Sequence, residues 1–284
     1  MAIQIRNLAG VDEVKEQWQL TGRLIFRWKG GKAAWRPRVS LVNEVTPAAI
    51  RDVEVYAERD GTMVVLQDLN ATLSTDLDLT RFPFDAQNLP IVVEPVGMDA
   101  DRTVLRFDSA LSSVSRERYA ELAQWKPVSL TARTYDDMAP ERVIHGLAVG
   151  LHVKRNSTSY LWKFIVPLVL LVIISWVTFW LSPEVFTAKE QLATAVSTLL
   201  VIVAFTFVSS GLVPRTSYMT YLDALLFVSF VFVVVSIGFI VASHLLDVRF
   251  KAPVRALLVR QTAGVALPVL FFAAQAALLV WFKL

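Results

Sequence analysis

The sequence predicts a β-sandwich extracellular domain followed by a four-helix transmembrane bundle. Two observations predict this fold class. The second half of the 284-residue chain contains four apolar stretches, whereas the first half contains short segments in which apolar and polar residues alternate. Long apolar stretches are typical of membrane-spanning helices, and alternation is typical of strands with one face on a core. We therefore expect a sandwich domain at residues 1–158 and a membrane domain at residues 159–284.

Alternating segments bounded by turn residues predict the strands of the first half. Residues 20–28 alternate between apolar and mostly polar side chains, as in a strand with one face on a core. Asp60-Gly61 separates two apolar segments and is a strong hairpin signal, although the loop can exceed two residues. The remaining strands are predicted at residues 53–57, 63–69, 73–79, 88–94, 103–107, 125–135 and 144–154. About eight to ten short strands over this length indicate a sandwich.

Four membrane helices are predicted at about 161–181, 191–213, 221–246 and 255–283. About 20 helical residues cross a hydrocarbon core of about 30 Å, so each stretch is long enough. Basic residues cluster around the third link, whereas the second link holds only Arg215. The cluster consists of Arg249, Lys251, Arg255 and Arg260. Basic links face the cytoplasm, which places both termini on the extracytoplasmic side. Because residues 1–20 lack an apolar leader core, we expect any signal peptide to have been removed.

The composition excludes several classes of protein. With 55% hydrophobic residues and no cysteine, the chain is neither disordered nor built on disulfides or thiolate metal sites. Its net charge of +3 is located beside apolar stretches rather than on a soluble basic patch, so we expect no nucleic-acid partner. The sequence contains no P-loop, strand-linked GxGxxG, HExxH or GxSxG motif, and the three histidines lack metal-ligand spacing. We therefore expect no enzyme activity, no metal and no cofactor.

The second predicted membrane helix carries a stripe of small, hydroxyl-bearing and apolar residues that begins with an acid. The stripe consists of Glu190, Ala193, Ser197, Leu200, Ala204, Phe207 and Gly211. Steps of three and four residues place all of them on one helix face. One interpretation is a pore lining, in which a selectivity ring of Glu190 attracts cations while Leu200 and Phe207 form a hydrophobic gate. The other interpretation is a packing seam between helices, where small and hydroxyl residues are also common.

Residues 75–89 carry the most specific motif of the chain, with the core Phe-Pro-Phe-Asp-Ala-Gln at residues 82–87. This segment resembles the signature loop of the pentameric ligand-gated ion channels, the Cys-loop receptor superfamily. The two cysteines that close the loop in animal members are replaced by Thr75 and Leu89, which is similar to the cysteine-free prokaryotic branch. Further matches follow in the family's order at Trp35, Pro37, Asn43, Arg155, Pro167 and residues 214–221.

The resemblance implies a ligand- or pH-gated homopentamer in a bacterial inner membrane, with its N-terminal domain extracytoplasmic. Its partners would be further copies of itself, membrane lipid, permeant monovalent cations, and a small-molecule agonist or protons. Conduction would be passive, through a cation-selective pore lined by the second membrane helix, so no cofactor is implied. The resemblance also implies a coupling interface that transmits the stimulus. Its members would be Asp12, Glu13, Asp85, Arg155, Pro214 and Tyr218. A static salt bridge that only holds the fold is the alternative for Arg155.

The ligand-binding loops of the family are assigned here by position. They contain Arg23, Asn43, Asp68, Glu94, Val96, Tyr135 and Ile144. Amine-gated members surround the cation with several aromatic side chains, but only Tyr135 is aromatic in this set, and Arg23 would repel an amine. A carboxylate ligand, a different cavity and control by protons therefore all stay open.

A membrane-tethered binding or scaffolding module is the alternative class of protein. Its four helices would only anchor and oligomerise the first domain. An anchor does not require an acid at one pole of the second helix and hydroxyl groups along one stripe, whereas a conducting pore does. The stripe and the resemblance together favour the channel.

Overall fold

A computed structural model of the chain describes residues 1–30, 35–97, 100–115, 124–139, 142–181, 186–211 and 217–284. These residues form two compact units. The first unit comprises Met1–Asp78 and Ala86–Asn156, and the second comprises Leu79–Asp85 and Ser157–Leu284. The short segment Leu79–Asp85 thus belongs to the same unit as the helices, although it lies between two strands in the chain.

The first unit is the strand-rich sandwich that the sequence predicts. Its strands are β1 (Ala2–Asp12), β2 (Gln17–Lys29), β3 (Val39–Leu41), β4 (Glu44–Ala57), β5 (Thr62–Ser74), β6 (Ala86–Pro95), β7 (Ser113–Val114), β8 (Trp125–Ala139) and β9 (Arg142–Arg155). One sheet has the order β4-β5-β2-β1-β7, and the other has the order β3-β6-β9-β8. Apart from the parallel pair of β1 and β7, the paired strands are antiparallel.

The core of the sandwich consists of the inward-facing residues of both sheets. In β2, Leu20 and Leu24 are fully buried, and Thr21 between them is exposed. In β9, Leu147, Val149, Leu151 and Val153 are at most 1% exposed. Period-two burial of this kind removes one face of each strand from water and leaves the other face free for recognition.

The structure corrects the sequence prediction at several strands. β3 and β7 were not predicted, and β4 begins at Glu44 rather than at residue 53. Residues 103–107 form no strand, and the contacts of this segment include the Met1 amino group, which donates to the Arg106 carbonyl at 2.6 Å. The two strands predicted at residues 63–69 and 73–79 are a single strand, β5, which ends at Ser74. β1 was not predicted, because its ladder with β2 has irregularities at Ile5/Asn7 and Leu8/Gly10 that break the alternation. The Asp60-Gly61 hairpin is confirmed as the turn between β4 and β5, with Gly61 at a φ of 80°.

The second unit contains four helices that are long and apolar enough to cross a membrane. They are α1 (Thr158–Val177), α2 (Ala188–Ser210), α3 (Tyr221–Val248) and α4 (Pro253–Trp281). The residues Leu161–Ile165 of α1 are π-helical. Both α2 and α3 begin with a capping box, in which a threonine and an acid three residues later satisfy each other's backbone amides. The predicted fold class, a sandwich followed by four membrane helices, is confirmed.

Candidate functional site

The stripe on α2 lies on the helix face that the rest of the chain leaves uncovered. All seven stripe residues from Glu190 to Gly211 are exposed, including Leu200 at 65% and Phe207 at 75%. The opposite face of α2 packs inside the unit. Its buried residues are Gln191, Ala195, Thr198, Ile202 and Ser209. Within the described residues, α2 therefore packs against its own chain with the opposite face. The stripe stays exposed and is available for other contacts.

Glu190 occupies the third position of α2 and has a structural role as well as a charge. Its Oε2 atom accepts hydrogen bonds from the backbone amide of Thr187 at 2.7 Å and from the Thr187 hydroxyl at 2.8 Å. In return, the backbone amide of Glu190 donates to the Thr187 hydroxyl. The cap fixes the carboxylate at the first turn of α2, where the positive end of the helix dipole also stabilises it. Glutamine could make the same cap without the charge.

The signature loop contributes its central segment, Leu79–Asp85, to the helical unit. The amide of Leu79 donates to the Tyr218 hydroxyl at 3.0 Å, and the amide of Tyr221 donates to the Thr80 carbonyl at 2.9 Å. Two ring pairs accompany these bonds: Phe82 with Tyr160 at 5.0 Å and Phe84 with Tyr221 at 5.7 Å between centroids. The loop segment thus contacts the starts of both α1 and α3. Tyr218, one of the predicted coupling residues, contacts it directly.

Hydrogen bonds close the base of this loop in the sandwich. The Gln87 side chain bonds to the backbone of Asp78 in both directions, with its amide group donating to the Asp78 carbonyl at 2.7 Å. The Thr75 hydroxyl donates to the Asn88 carbonyl at 3.5 Å. Gln87 and Thr75 are both buried. These bonds tie the two ends of the loop together in a sequence that has no cysteine.

Arg155 lies at the end of β9, three residues before α1 begins, and its side chain is completely buried. Its Nη1 atom donates to Glu13 Oε1 at 2.8 Å, and its guanidinium carbon lies 4.1 Å from the centre of the Trp125 ring. An arginine held by a carboxylate on one side and an aromatic face on the other is strongly fixed. The structure therefore brings the predicted residues Arg155 and Glu13 together, and Trp125 is a member that sequence reasoning missed.

Asp12, Asp85 and Pro214 complete the predicted coupling set. Asp12 caps the following turn instead of joining Arg155, since its Oδ1 atom accepts from the amides of Val14 at 3.1 Å and Lys15 at 3.0 Å. These bonds, with the one from Lys15 the strongest, hold the pKa of Asp12 below its ordinary value. Asp85 is buried at 2% exposure in the signature loop. Pro214 lies outside the described residues.

The predicted ligand-loop residues separate into two groups on different sheets. Arg23 of β2 and Asp68 of β5 are partners in the ladder and form an ion pair at 2.8 Å. Glu94 of β6 and Tyr135 of β8 belong to the other sheet, where the tyrosine hydroxyl donates to Glu94 Oε1 at 2.7 Å. Burial, and then this bond, raise the pKa of Tyr135, so its phenol is a neutral donor at physiological pH.

The remaining three ligand-loop residues form no such pair. Asn43 joins the two sheets: its amide group donates to the carbonyls of Ser74 and Pro90, both at 2.9 Å, and its Oδ1 accepts from the Val92 amide at 3.1 Å. A ligand would have to break these bonds to use both amide protons. Val96 is an exposed apolar side chain, and Ile144 of β9 is half-buried opposite Asp137.

Arg260 is a structural residue that sequence reasoning treated only as a loop charge. It lies inside α4 and is buried, with its guanidinium donating to the carbonyls of Thr178 at 3.1 Å, Phe179 at 2.9 Å and also Leu181. Gln191 of α2 donates to the same Thr178 carbonyl at 2.8 Å. These side chains satisfy backbone carbonyls at the end of α1 that have no helical partner. An arginine within a long apolar helix was the sequence signal for this role.

We expect Arg260→Met to destabilise the helical unit strongly. The substitution keeps an apolar side chain of similar length but removes the arginine that donates to the Phe179 and Leu181 carbonyls, while the Thr178 carbonyl still accepts from Gln191. We expect this loss to cost about 3 kcal/mol. Thermal unfolding of the detergent-solubilised chain measures the loss. Arg255→Met removes an exposed arginine from the same helix and should change little. Equal stability of both variants would contradict the capping role.

The geometry defines a class of protein: a multi-pass membrane protein in which a β-sandwich is followed by four membrane-length helices. Two sequence profiles match this chain. The neurotransmitter-gated ion-channel ligand binding domain matches residues 30–157, and the neurotransmitter-gated ion-channel transmembrane region matches residues 164–261. The chain belongs to this family of pentameric ligand-gated ion channels. Members of the family are channels rather than enzymes.

Three curated relatives illustrate the range of the family. The chain is 29% identical to a proton-gated ion channel of Gloeobacter violaceus over 245 residues, which are 86% of this chain and 66% of that protein. It is 28% identical to pH-sensitive chloride channel 2 of Anopheles gambiae over 65% of this chain and 31% of that protein. It is 22% identical to the gamma-aminobutyric acid receptor subunit beta-4 of Gallus gallus over 82% of this chain and 52% of that subunit. The chain thus spans between about a third and two thirds of the length of these relatives.

Proposed function

We propose that this chain is the subunit of a homopentameric, cation-selective channel of a bacterial inner membrane, opened by a small ligand or by protons. Residues 1–158 form its extracytoplasmic ligand-binding domain and residues 159–284 its membrane domain. The pore is lined by the α2 stripe, with Glu190 as the selectivity ring and Leu200 and Phe207 as the gate. Its permeant ions are monovalent cations, and its other partners are its own copies and lipid.

The exposed stripe on α2 is the single observation that carries this proposal. A stripe of an acid, small residues and a hydroxyl group on an uncovered helix face gains nothing from contact with lipid tails. Around a shared axis, the same face supplies a water-filled path with an acidic ring at one pole and apolar rings further along. The chain folds so that the opposite, buried face of α2 makes the contacts within the subunit.

The choice of ion needs its own argument, because the relatives include one named as a chloride channel. The support for cations comes from Glu190, whose carboxylate is exposed and fixed by the Thr187 cap at the first turn of α2. Five such carboxylates around one axis would raise the local cation concentration and repel anions.

The nature of the stimulus is supported by the relative from Gloeobacter violaceus, which is named as a proton-gated ion channel. Stimulus binding favours the open state through a higher affinity for that state. Coupling then involves Arg155, which ends the last strand just before α1, and Tyr218, which bonds the signature loop. Opening removes the apolar constriction at Leu200 and Phe207, which allows water to enter.

Replacing Glu190 by glutamine tests the conduction mechanism directly. The variant keeps the cap of α2 but removes the charge of the ring, so the helix should fold normally. We expect the single-channel conductance to fall by about half or more, and the reversal potential in a salt gradient to shift toward weaker cation preference. Currents are recorded in planar bilayers while the pH is stepped in both directions.

Asp247→Asn is the matched control for this measurement. It removes one exposed acid from the end of α3, outside the stripe, and should leave conductance and reversal potential unchanged. Unchanged conductance and reversal potential in Glu190→Gln would refute the ring. A parent protein that assembles in the membrane but never conducts would favour the anchored binding module instead.

A further inference from the structure

Two successive turns of α4 hold the end of α1. Arg260 of α4 donates to three carbonyls at this end, which include that of Thr178 at 3.1 Å. One turn further along α4, the carbonyl of Gly264 accepts from the Trp180 indole at 3.0 Å. Arg260 and Gly264 are both buried and lie on one face of α4, so the contact with α1 is continuous along that face.

Gln191 connects this contact to α2. Its side-chain amide donates to the Thr178 carbonyl at 2.8 Å, and only 3% of the residue is exposed. One carbonyl therefore accepts from α2 and from α4 at the same time, which its two lone pairs allow. The buried hydroxyls of Thr198 and Ser209 differ, since they donate to carbonyls of α2 itself. Gln191 thus ties the start of α2 to a neighbouring helix.

Gln191 directly follows Glu190, so the two side chains point about 100° apart around the axis of α2. Glu190 lies on the uncovered face, and Gln191 lies on the buried face. The Thr187 cap fixes the Glu190 carboxylate relative to α2 only, because both residues belong to the same end of that helix. The bond from Gln191 fixes the turn that carries the carboxylate relative to α1 and α4.

We propose that Gln191 and Arg260 are positioning residues for ion selectivity, which hold the Glu190 carboxylates of all subunits at a fixed distance from the pore axis. The two residues and the Thr178 carbonyl that they share are called the clamp. This inference rests on the proposed function and extends it to α4, a helix outside the stripe. The attraction between a carboxylate and a passing cation falls with their separation, so a wider ring attracts cations and excludes anions less well. Arginine suits the clamp because its planar fork donates to several carbonyls at once.

The first test is the reversal potential of single channels in a salt gradient, which does not depend on how many channels fold. Gln191→Met keeps a buried side chain of similar size but removes the donor to Thr178. We expect its cation-to-anion permeability ratio to fall at least about threefold, although Glu190 keeps its charge. Thr198→Val is the matched control, because it removes a buried hydroxyl that bonds within α2 and should leave the ratio within about 1.5-fold. An unchanged ratio in Gln191→Met would overturn the proposal.

Variants of Arg260 separate positioning from the long-range effect of the arginine charge. Arg260→Met removes a positive charge, so an electrostatic effect alone would strengthen the preference for cations. Loss of the clamp predicts the opposite sign, a fall in the permeability ratio of at least about threefold. Arg260→Lys keeps the charge with fewer donors to the carbonyls, so its ratio should lie between those of the parent and Arg260→Met. A ratio that rises in Arg260→Met would overturn the positioning role of the arginine.

A combined variant tests whether Gln191 acts through Glu190. In Glu190→Gln, which has no ring charge to position, adding Gln191→Met should change the permeability ratio by less than about 1.5-fold. An equal fall in both backgrounds would show that Gln191 acts elsewhere and would overturn the proposal. If Glu190→Gln shifts the ratio and Gln191→Met does not, only the clamp is wrong. If Glu190→Gln itself matches the conducting parent, the selectivity ring is wrong and the proposal is overturned with it.

A distance measurement tests the clamp without any current. The chain has no cysteine, so Lys189→Cys places a single spin label in each subunit, at an exposed position beside Glu190. Electron–electron double resonance of the solubilised oligomer gives the distances between labels of different subunits. We expect the distribution to become wider by about half in Gln191→Met and to stay unchanged in Thr198→Val, because a helix end without its tether samples more positions. Equal widths in the parent and Gln191→Met would overturn the clamp, whether or not the protein conducts.

Discussion

Arg155→Ala is expected to abolish stimulus-evoked current. The arginine side chain is completely buried between Glu13 and the Trp125 ring, and it ends the strand that leads into α1. Its removal leaves the Glu13 carboxylate without its donor at 15% exposure and opens a void beside the tryptophan. We expect the free energy of unfolding of the sandwich to fall by about 3 kcal/mol, as for other broken buried pairs.

The measurement must separate a loss of coupling from a loss of folded protein. Currents are therefore divided by the amount of protein at the membrane surface, and thermal unfolding is recorded for each variant. Arg155→Lys keeps the charge near Glu13 but not the planar contact with Trp125, so it should retain part of the current. Normal evoked currents in Arg155→Ala at normal surface expression would show that the arginine only holds the fold.

Glu13→Ala and the double variant Arg155→Ala/Glu13→Ala complete a thermodynamic cycle. Removing either partner alone leaves the other as a buried charge, whereas removing both does not. The loss of unfolding free energy in the double variant should therefore be smaller than the sum of the losses in the two single variants. A strictly additive cost would contradict a direct energetic link between the two residues.

Leu200→Ser is expected to make the channel open more easily. Leu200 is 65% exposed on the uncovered face of α2, where an apolar ring would exclude water from a narrow pore. A serine ring lowers the cost of wetting in every subunit at once. We expect the stimulus concentration for half-maximal current to fall by about tenfold, which corresponds to about 1.4 kcal/mol.

Val201→Ser is the matched control, since it places the same side chain one position further along the helix. Val201 is 38% exposed but points about 100° away from Leu200 around the helix axis, so its replacement should shift the midpoint by less than about twofold. If Leu200→Ser opens no more easily than the parent, the hydrophobic gate is not at this position. If both variants shift equally, the stripe is not the face that controls opening.

Local patterns explain how much of the architecture could be predicted. The four helices follow from uninterrupted apolar stretches, and most strands follow from alternation, because each pattern is set by neighbouring residues. The two capping boxes are also visible in sequence, as Thr187 with Glu190 and Thr220 with Asp223. Prediction failed for β1, whose bulges interrupt the alternation, and for residues 103–107, where alternation is present without a ladder partner.

The roles of single residues were harder to predict, because they depend on partners far away in the chain. Asn43 was assigned to a ligand loop, but its amide joins Ser74, Pro90 and Val92. Arg260 was counted among the charges of a cytoplasmic link, but it is buried against the end of α1. Three basic residues, Arg249, Lys251 and Arg255, still remain at that link to support the orientation.

Periodicity and a contiguous motif are local properties of a chain, so the fold class, the family and the face of α2 that carries the stripe could all be predicted from them. The covered face of α2, the groups that satisfy Arg155 and Arg260, and the charges that meet at Asp68 became visible in the folded chain. These outcomes depend on strand register and helix packing, which bring together residues such as Arg6 and Asp68 from distant parts of the chain. A buried charge must find a partner in the folded chain, and composition alone does not say which one.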